Sequence, residues 1–246
     1  MLDIIERPSP NWNERVGGHP PDMVILHYTG MASGDVAIAR LCDPVAQVSS
    51  HYVIDRAGVI LRLVADNHRA WHAGVSSWHG ATDINSRSIG IELVNPGHAH
   101  GYIEFAEPQM VALLRLLADI STRHHIAPER VLAHSDIAPG RKCDPGERFD
   151  WERLFRAGFG LWTPPDPMES GTGLALGATG SDVQVLQRQL ARLGFGITDS
   201  DRFDKATETV VRAFQRHWRP QRIDGRADAS TLETLKRLNG LIAKPS

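Results

Sequence analysis

The chain has 246 residues, enough for one or two domains, with 41% apolar and 23% charged residues, as in ordinary globular proteins. Its formal net charge of -2, with no block of lysine or arginine, argues against nucleic acid or an anionic membrane as partner, and no apolar run approaches the roughly 18 residues of a membrane span. Two cysteines, Cys42 and Cys143, are too few for a disulfide framework and fit a reducing compartment.

From the N-terminus, Met1 to Pro10 lacks both the basic start and the apolar stretch of a secretory signal. That predicts a cytoplasmic location, with the cell envelope reached only by signal-independent export or after removal of a signal. Asp22-Met23-Val24-Ile25-Leu26-His27-Tyr28-Thr29-Gly30 holds a four-residue apolar run ending in a histidine and then in turn formers, which predicts a buried strand that delivers His27 to its end. His68 and His72 have the spacing of a helical metal pair, but no glutamate follows His68 and the segment stops at Gly74. His72 and Trp71 are expected instead to line a substrate cleft. Ser88 to Val94 is again strand-like, with Glu92 among branched apolar residues. A carboxylate there is costly to bury unless paired, so Glu92 is either a salt-bridged core residue or a general base beside a metal. An apolar setting would raise its pKa and a nearby cation would lower it. Glu107-Pro108 opens an amphipathic helix with Met110, Leu113, Leu114, Leu117 and Ile120 on one face.

The densest chemistry follows. Arg130 to Ala133 predicts a short strand with His134 at its exit, and His134 to Gly146 then offers an imidazole, the carboxylate of Asp144 and the ammonium of Lys142. If the segment is extended, Lys142 and Asp144 share a face and Cys143 points away. Zinc accepts imidazole nitrogen and carboxylate oxygen, and a catalytic zinc takes three protein ligands, so His27 is the candidate to complete the set with His134 and Asp144. His19, His79, His98, His100, His124 and His125 are expected at the solvated surface, and His51 either in the core or on the cleft wall.

Trp162 to Pro167 followed by Glu169-Ser170-Gly171-Thr172-Gly173 reads as a proline-stiffened, glycine-loosened linker. Beyond it only helices are predicted: one capped at Ser181-Asp182 and ended by Gly194, a second from Lys205, a third from Ser230. The expected architecture is a mixed α/β (α+β) region over 1–161, with a central mixed sheet flanked by helices, then a linker over 162–172 and a small all-α three-helix domain over 173–246.

Five motifs in order carry a family resemblance: His27-Tyr28-Thr29, Ser49 to Ile54, Ala70-Trp71-His72-Ala73-Gly74, Ser88-Ile89-Gly90-Ile91-Glu92, and His134-Ser135-Asp136 through Lys142-Cys143-Asp144-Pro145-Gly146. Through them residues 20–150 resemble the zinc-dependent N-acetylmuramoyl-L-alanine amidases related to phage-type amidases and peptidoglycan recognition proteins. The resemblance implies that His27, His134 and Asp144 hold one Zn2+, that Glu92 handles the water proton, and that Lys142 supports the oxyanion. Phage-type relatives have a tyrosine near the zinc and a cysteine as third ligand; Ser50 and Asp144 stand in those places here. Ser50 and Tyr52 thus join Trp71 and His72 as substrate-binding candidates. The implied reaction is hydrolysis of the amide between the lactyl group of muramic or anhydromuramic acid and L-alanine, in peptidoglycan or in a soluble anhydromuropeptide.

Residues 173–240 resemble the three-helix peptidoglycan-binding domain through Gly180 to Gln187, Phe203 to Thr207, Val211 to Gln215 and Asp224 to Asp228. Such a module would hold a hydrolase near polymer. Gln187 and Gln215 read equally well as helix-surface residues. A non-catalytic peptidoglycan receptor is the competing function, but it would need a ligand or Glu92 missing. A Cys143 nucleophile would leave Lys142 and Asp144 without a role.

Overall fold

A computed structural model describes residues 2–167 and 173–242 of the chain, so 168–172 of the expected linker lie outside the described residues. The elements run β1 (Ile4–Glu6), β2 (Trp12–Glu14), β3 (Met23–Tyr28), α1 (Gly34–Leu41), β4 (Tyr52–Ile54), β5 (Ile60–Arg62), β6 (His68–Ala70), α2 (Ile84–Arg87), β7 (Ser88–Leu93), α3 (Glu107–His124), β8 (Val131–Ala133), α4 (His134–Ile137) and α5 (Trp151–Arg156). Three helices follow: α6 (Ser181–Leu193), α7 (Lys205–Trp218) and α8 (Ala229–Leu241). The main sheet has the order β1-β5-β4-β7-β3-β8 and is parallel except between β4 and β5, while β2 and β6 form a separate antiparallel ribbon. The architecture is mixed, as the sequence predicts.

Strands β3 and β7 lie inside the sheet and are covered on both faces, which is why they read as nearly unbroken apolar runs. Alternation along β3 sends Val24 and Leu26 to one face, where Leu113, Leu116, Leu117 and Ile120 of α3 cover them. Leu116 belongs to that buried face and Leu114 is only half-buried. Met23 and Ile25 point to the other face, and His27 has their parity. There they meet Leu132, Ile137 and Ala138, and also Val183, Leu186 and Leu190 of α6 and Val211 and Phe214 of α7, in one continuous apolar cluster. The helical region therefore supplies part of the core beneath the sheet.

Three details depart from the sequence reading. Gly180, with φ of 109°, is the N-cap of α6, and Ser181 is its first helical residue. Gln187 and Gln215 are buried instead of lying on a helix surface. The Gln187 amide donates to Thr207 Oγ1, beside the Asp204 cap of α7, and the Gln215 amide donates to Thr231 Oγ1, beside the Asp228 cap of α8. Each glutamine thus clasps the start of the next helix, and its amide satisfies a turn that has no sheet partner.

One polar contact ties α7 to the strand region. His217 is sandwiched between Trp151 and Trp218, with ring centroids 3.7 and 3.6 Å away, and its Nδ1 lies 2.8 Å from Asp136 Oδ2. The same carboxylate oxygen accepts the Ala133 amide, at the point where β8 turns into α4. Removing one member of a buried pair leaves the other without its partner, which costs about 3–5 kcal/mol. His217→Ala is expected to lower unfolding stability by that order in denaturant titration, with both regions unfolding in one coincident transition.

Candidate metal centre

His27 ends the buried run of β3, and β8 pairs beside it with Leu26 opposite Ala133, so His134 leaves its strand next to His27. On the other side β7 pairs His27 with Glu92. The segment between His134 and Asp144 is not extended; it turns through α4 and a turn at 139–141 and returns Asp144 to the histidines. The Ser135 amide donates to the Asp144 carbonyl and pins that return.

Three atoms converge. His27 Nδ1 lies 2.8 Å from His134 Nδ1, and each lies 3.0 Å from Asp144 Oδ2, all three residues being buried. The surrounding hydrogen bonds assign the ring proton of His27. His134 Nε2 lies 3.1 Å from Ala73 O and 3.3 Å from the Arg141 guanidinium, which donates to the same carbonyl. Ser88 Oγ donates to Ile84 O, accepts from His72 Nε2 at 3.3 Å, and leaves His72 Nδ1 bare to receive the Nε2–H of His27 at 3.0 Å. His27 Nδ1 is thereby left as a lone pair facing the carboxylate. Two imidazole nitrogens and one carboxylate oxygen so close together fit a cation bound by all three. Cys143 Sγ is not among the converging atoms; it lies 3.1 Å from Tyr28 Oη.

Burial, then the neighbouring His134, hold His27 down to about 4, so it is neutral and ready to ligate near pH 7. Burial alone would raise Asp144, but the neighbouring His134, and next His27, hold it well below the usual carboxylate range. Glu92 is partly exposed, yet its Oε2 is buried without a hydrogen-bond partner. Burial, and next the charge of Asp144, push its carboxyl well above the ordinary value, with Lys142 pulling the other way. Of the two sequence readings, a salt-bridged core residue is excluded: no ion pair reaches Glu92 among the described residues.

A cleft of about 780 Å³ opens over these groups and is lined by His27, Glu92, His134, Lys142 and Asp144 together with Trp71 and His72. Ser50 and Tyr52 do not reach it. The hydroxyl of Ser50 is buried and donates to Tyr52 O, and Tyr52 has the parity of Ile54, facing α3 and donating to Asp66. His51 is a core residue whose Nδ1 accepts the Gly90 amide and whose Nε2 lies 3.0 Å from the Arg15 guanidinium. His98 is not simply solvated, since it bridges Tyr28 Oη and Glu147, and His124 pairs with Asp66.

Residues 17–147 match the N-acetylmuramoyl-L-alanine amidase family, and residues 179–235 match a peptidoglycan-binding domain family. The chain is 40% identical over 223 residues to the N-acetylmuramoyl-L-alanine amidase AmiD of Escherichia coli, covering 85% of this chain and 79% of that protein. The chain belongs to the N-acetylmuramoyl-L-alanine amidase family. It is also 34% identical over 179 residues to the 1,6-anhydro-N-acetylmuramyl-L-alanine amidase AmpD of Citrobacter freundii, covering 66% of this chain and 91% of that one. Among solved structures, AmiD in complex with anhydro-N-acetylmuramic acid-L-Ala-D-gamma-Glu-L-Lys superposes with a TM-score of 0.78 at 35% identity, covering 95% of this chain and 94% of that chain. AmpDh3 of Pseudomonas aeruginosa, in complex with anhydromuramic pentapeptide, gives 0.73 at 28% identity, with 95% of each chain covered.

Two expected results concern the scaffold of this amidase. A Cβ at Gly90 would lie 2.5 Å from His72 Cγ, so the imidazole that receives the His27 proton rests directly on β7. Gly90→Ala should displace that ring and weaken metal affinity by about 10- to 100-fold, as loss of an outer partner does, measured by competition with a chromogenic chelator. The second concerns pH. Burial also holds His51 down to about 3 and His72 well below its ordinary value. Between about pH 6.5 and 4 the unfolded chain takes up these protons while the native metal-free protein does not. The histidines' contribution to stability should be complete above pH 6.5 and be lost on the way to pH 4, offset in part by Glu92, whose raised carboxyl acts in the opposite sense, and thermal melts across that range should show a net fall.

Proposed function

We propose that this amidase uses zinc held by His27, His134 and Asp144 to cleave the amide between the lactyl group of anhydro-N-acetylmuramic acid and L-alanine in anhydromuropeptides. The observation that carries the reading is the convergence of two imidazole nitrogens and a carboxylate oxygen at 2.8 to 3.0 Å. The names of the AmiD and AmpD relatives, and the anhydromuramyl ligands in the solved neighbours, support the substrate. Zinc, when bound, supplies an acidified water and a positive charge near the reacting carbonyl.

The rest is done by the chain. Glu92, on the strand beside His27, accepts the proton of the attacking water and passes it to the leaving amine of L-alanine. Its buried, unpartnered Oε2 and raised pKa suit a base that must also become an acid. Lys142 lines the cleft, and its ammonium, which makes no hydrogen bond or ion pair among the described residues, is left for the tetrahedral oxyanion. Trp71, fixed by its indole N–H to Asn13, forms an apolar wall for the sugar or lactyl group.

The test digests purified sacculi and a soluble anhydromuropeptide side by side, with and without chelator. Release of the peptide from the anhydromuramyl substrate, lost on chelation and restored by zinc, is expected. Activity that survives complete metal removal sinks the metal mechanism, and a preference for sacculi sinks the substrate assignment.

A further inference from the structure

The cleft is far more basic than the chain. Among its lining residues are Arg40, Arg141, Lys142, Lys205, Arg212 and Arg216, against only two carboxylates, Glu92 and Asp144, whereas the whole chain carries a formal charge of -2. Three of the six cations come from α7, in the helical region. Lys205, Thr209, Arg212 and Arg216 recur at spacings of four, three and four, which is one stripe of a helix, and all four line the cleft. The opposite side of α7, with Val210, Val211 and Phe214, is buried in the shared core and fixes the stripe in place. Its approach is close: a Cβ on Gly140, in the turn that leads to Lys142 and Asp144, would lie 2.6 Å from Thr209 Cγ2. Internal anions cover this charge incompletely. Glu208 serves both Lys205, at 2.7 Å, and Arg212, at 2.9 Å, and the nearest carboxylate to Arg216 Nε is Glu147 at 3.6 Å.

We propose that the α7 stripe, through Lys205 and Arg216, is a carboxylate-recognising subsite of the catalytic cleft, which selects substrates whose stem peptide carries a free carboxylate beyond L-alanine. The inference rests on the amidase reading above. The peptide seen with AmiD shows the chemistry required, for a γ-linked D-glutamyl residue keeps its α-carboxylate free one residue past L-alanine. That group trails the scissile amide by about 7 Å of extended chain. An ammonium and a guanidinium on a rigid helix suit it, and the guanidinium can bind a carboxylate through two parallel N–H groups. The helical region then acts as a wall of the active site and not only as a tether.

The test uses the full zinc-loaded chain and two anhydromuramyl tripeptides that differ only in the glutamyl α-position, carboxylate or carboxamide. Wild type is expected to favour the carboxylate by about tenfold in kcat/KM, expressed mainly in KM and shrinking as salt rises. In Lys205→Gln/Arg216→Gln the ratio should fall to about one. Because Arg216 is partly buried, Lys205→Glu alone, at a side chain 76% exposed, provides a second variant and should lower the ratio in the same direction. Equal kcat/KM for the two substrates in wild type, or a ratio untouched by both variants, overturns the subsite while leaving the amidase intact. Cleavage of neither substrate overturns the amidase reading and the subsite with it.

Discussion

Asp144→Ala is expected to lose zinc and turnover together. The carboxylate is the sole anion of the converging set, so the variant offers a divalent cation only two imidazole nitrogens. The affinity should drop well beyond the roughly 100-fold that follows loss of an outer-shell partner. The backbone bond from Ser135 to the Asp144 carbonyl does not depend on the side chain, so the turn should persist and the protein should fold. Metal analysis of the purified variant beside a peptide-release assay reads both effects. Full zinc occupancy in this variant would remove Asp144 from the ligand set.

Glu92→Gln should separate what Asp144→Ala removes at once. The substitution keeps the volume and the strand pairing with His27, and Glu92 is not one of the converging atoms, so zinc content should match wild type. Turnover should fall by about 10²- to 10⁴-fold, because an amide can neither take the water proton nor return it to the amine. The comparison is made at equal metal loading, by kcat on the anhydromuramyl substrate. A Glu92→Gln enzyme with wild-type kcat would assign the proton transfer elsewhere.

The parts of the site legible in the sequence are those carried by local pattern. A strand buried on both faces must be apolar throughout, so a histidine or glutamate at its end stands out, as His27, Glu92 and His134 do. Asp144 could be suspected from its loop, although the chain reaches the histidines through a turn and not through an extended segment. Ser50 and Tyr52 show where pattern ran out. They adjoin a motif, but strand parity sends Tyr52 to the α3 side of the sheet, opposite His27. The clasps made by Gln187 and Gln215, the stacking of His217 and the reach of α7 into the cleft depend on contacts between residues far apart in the chain. No periodicity within one segment encodes them.

The joint apolar cluster formed by β3, β8, α6 and α7 limits how this protein can be taken apart or recombined. A peptidoglycan-binding module on a free leash could be exchanged for another without disturbing its neighbour. Here a transplanted replacement would have to fit the underside of the sheet, accept Trp78 against Gly194 and meet Asp136 with an imidazole before the hydrolase beside it could stand. Shuffling of this pair is accordingly constrained, and the two segments are bound to diverge in step.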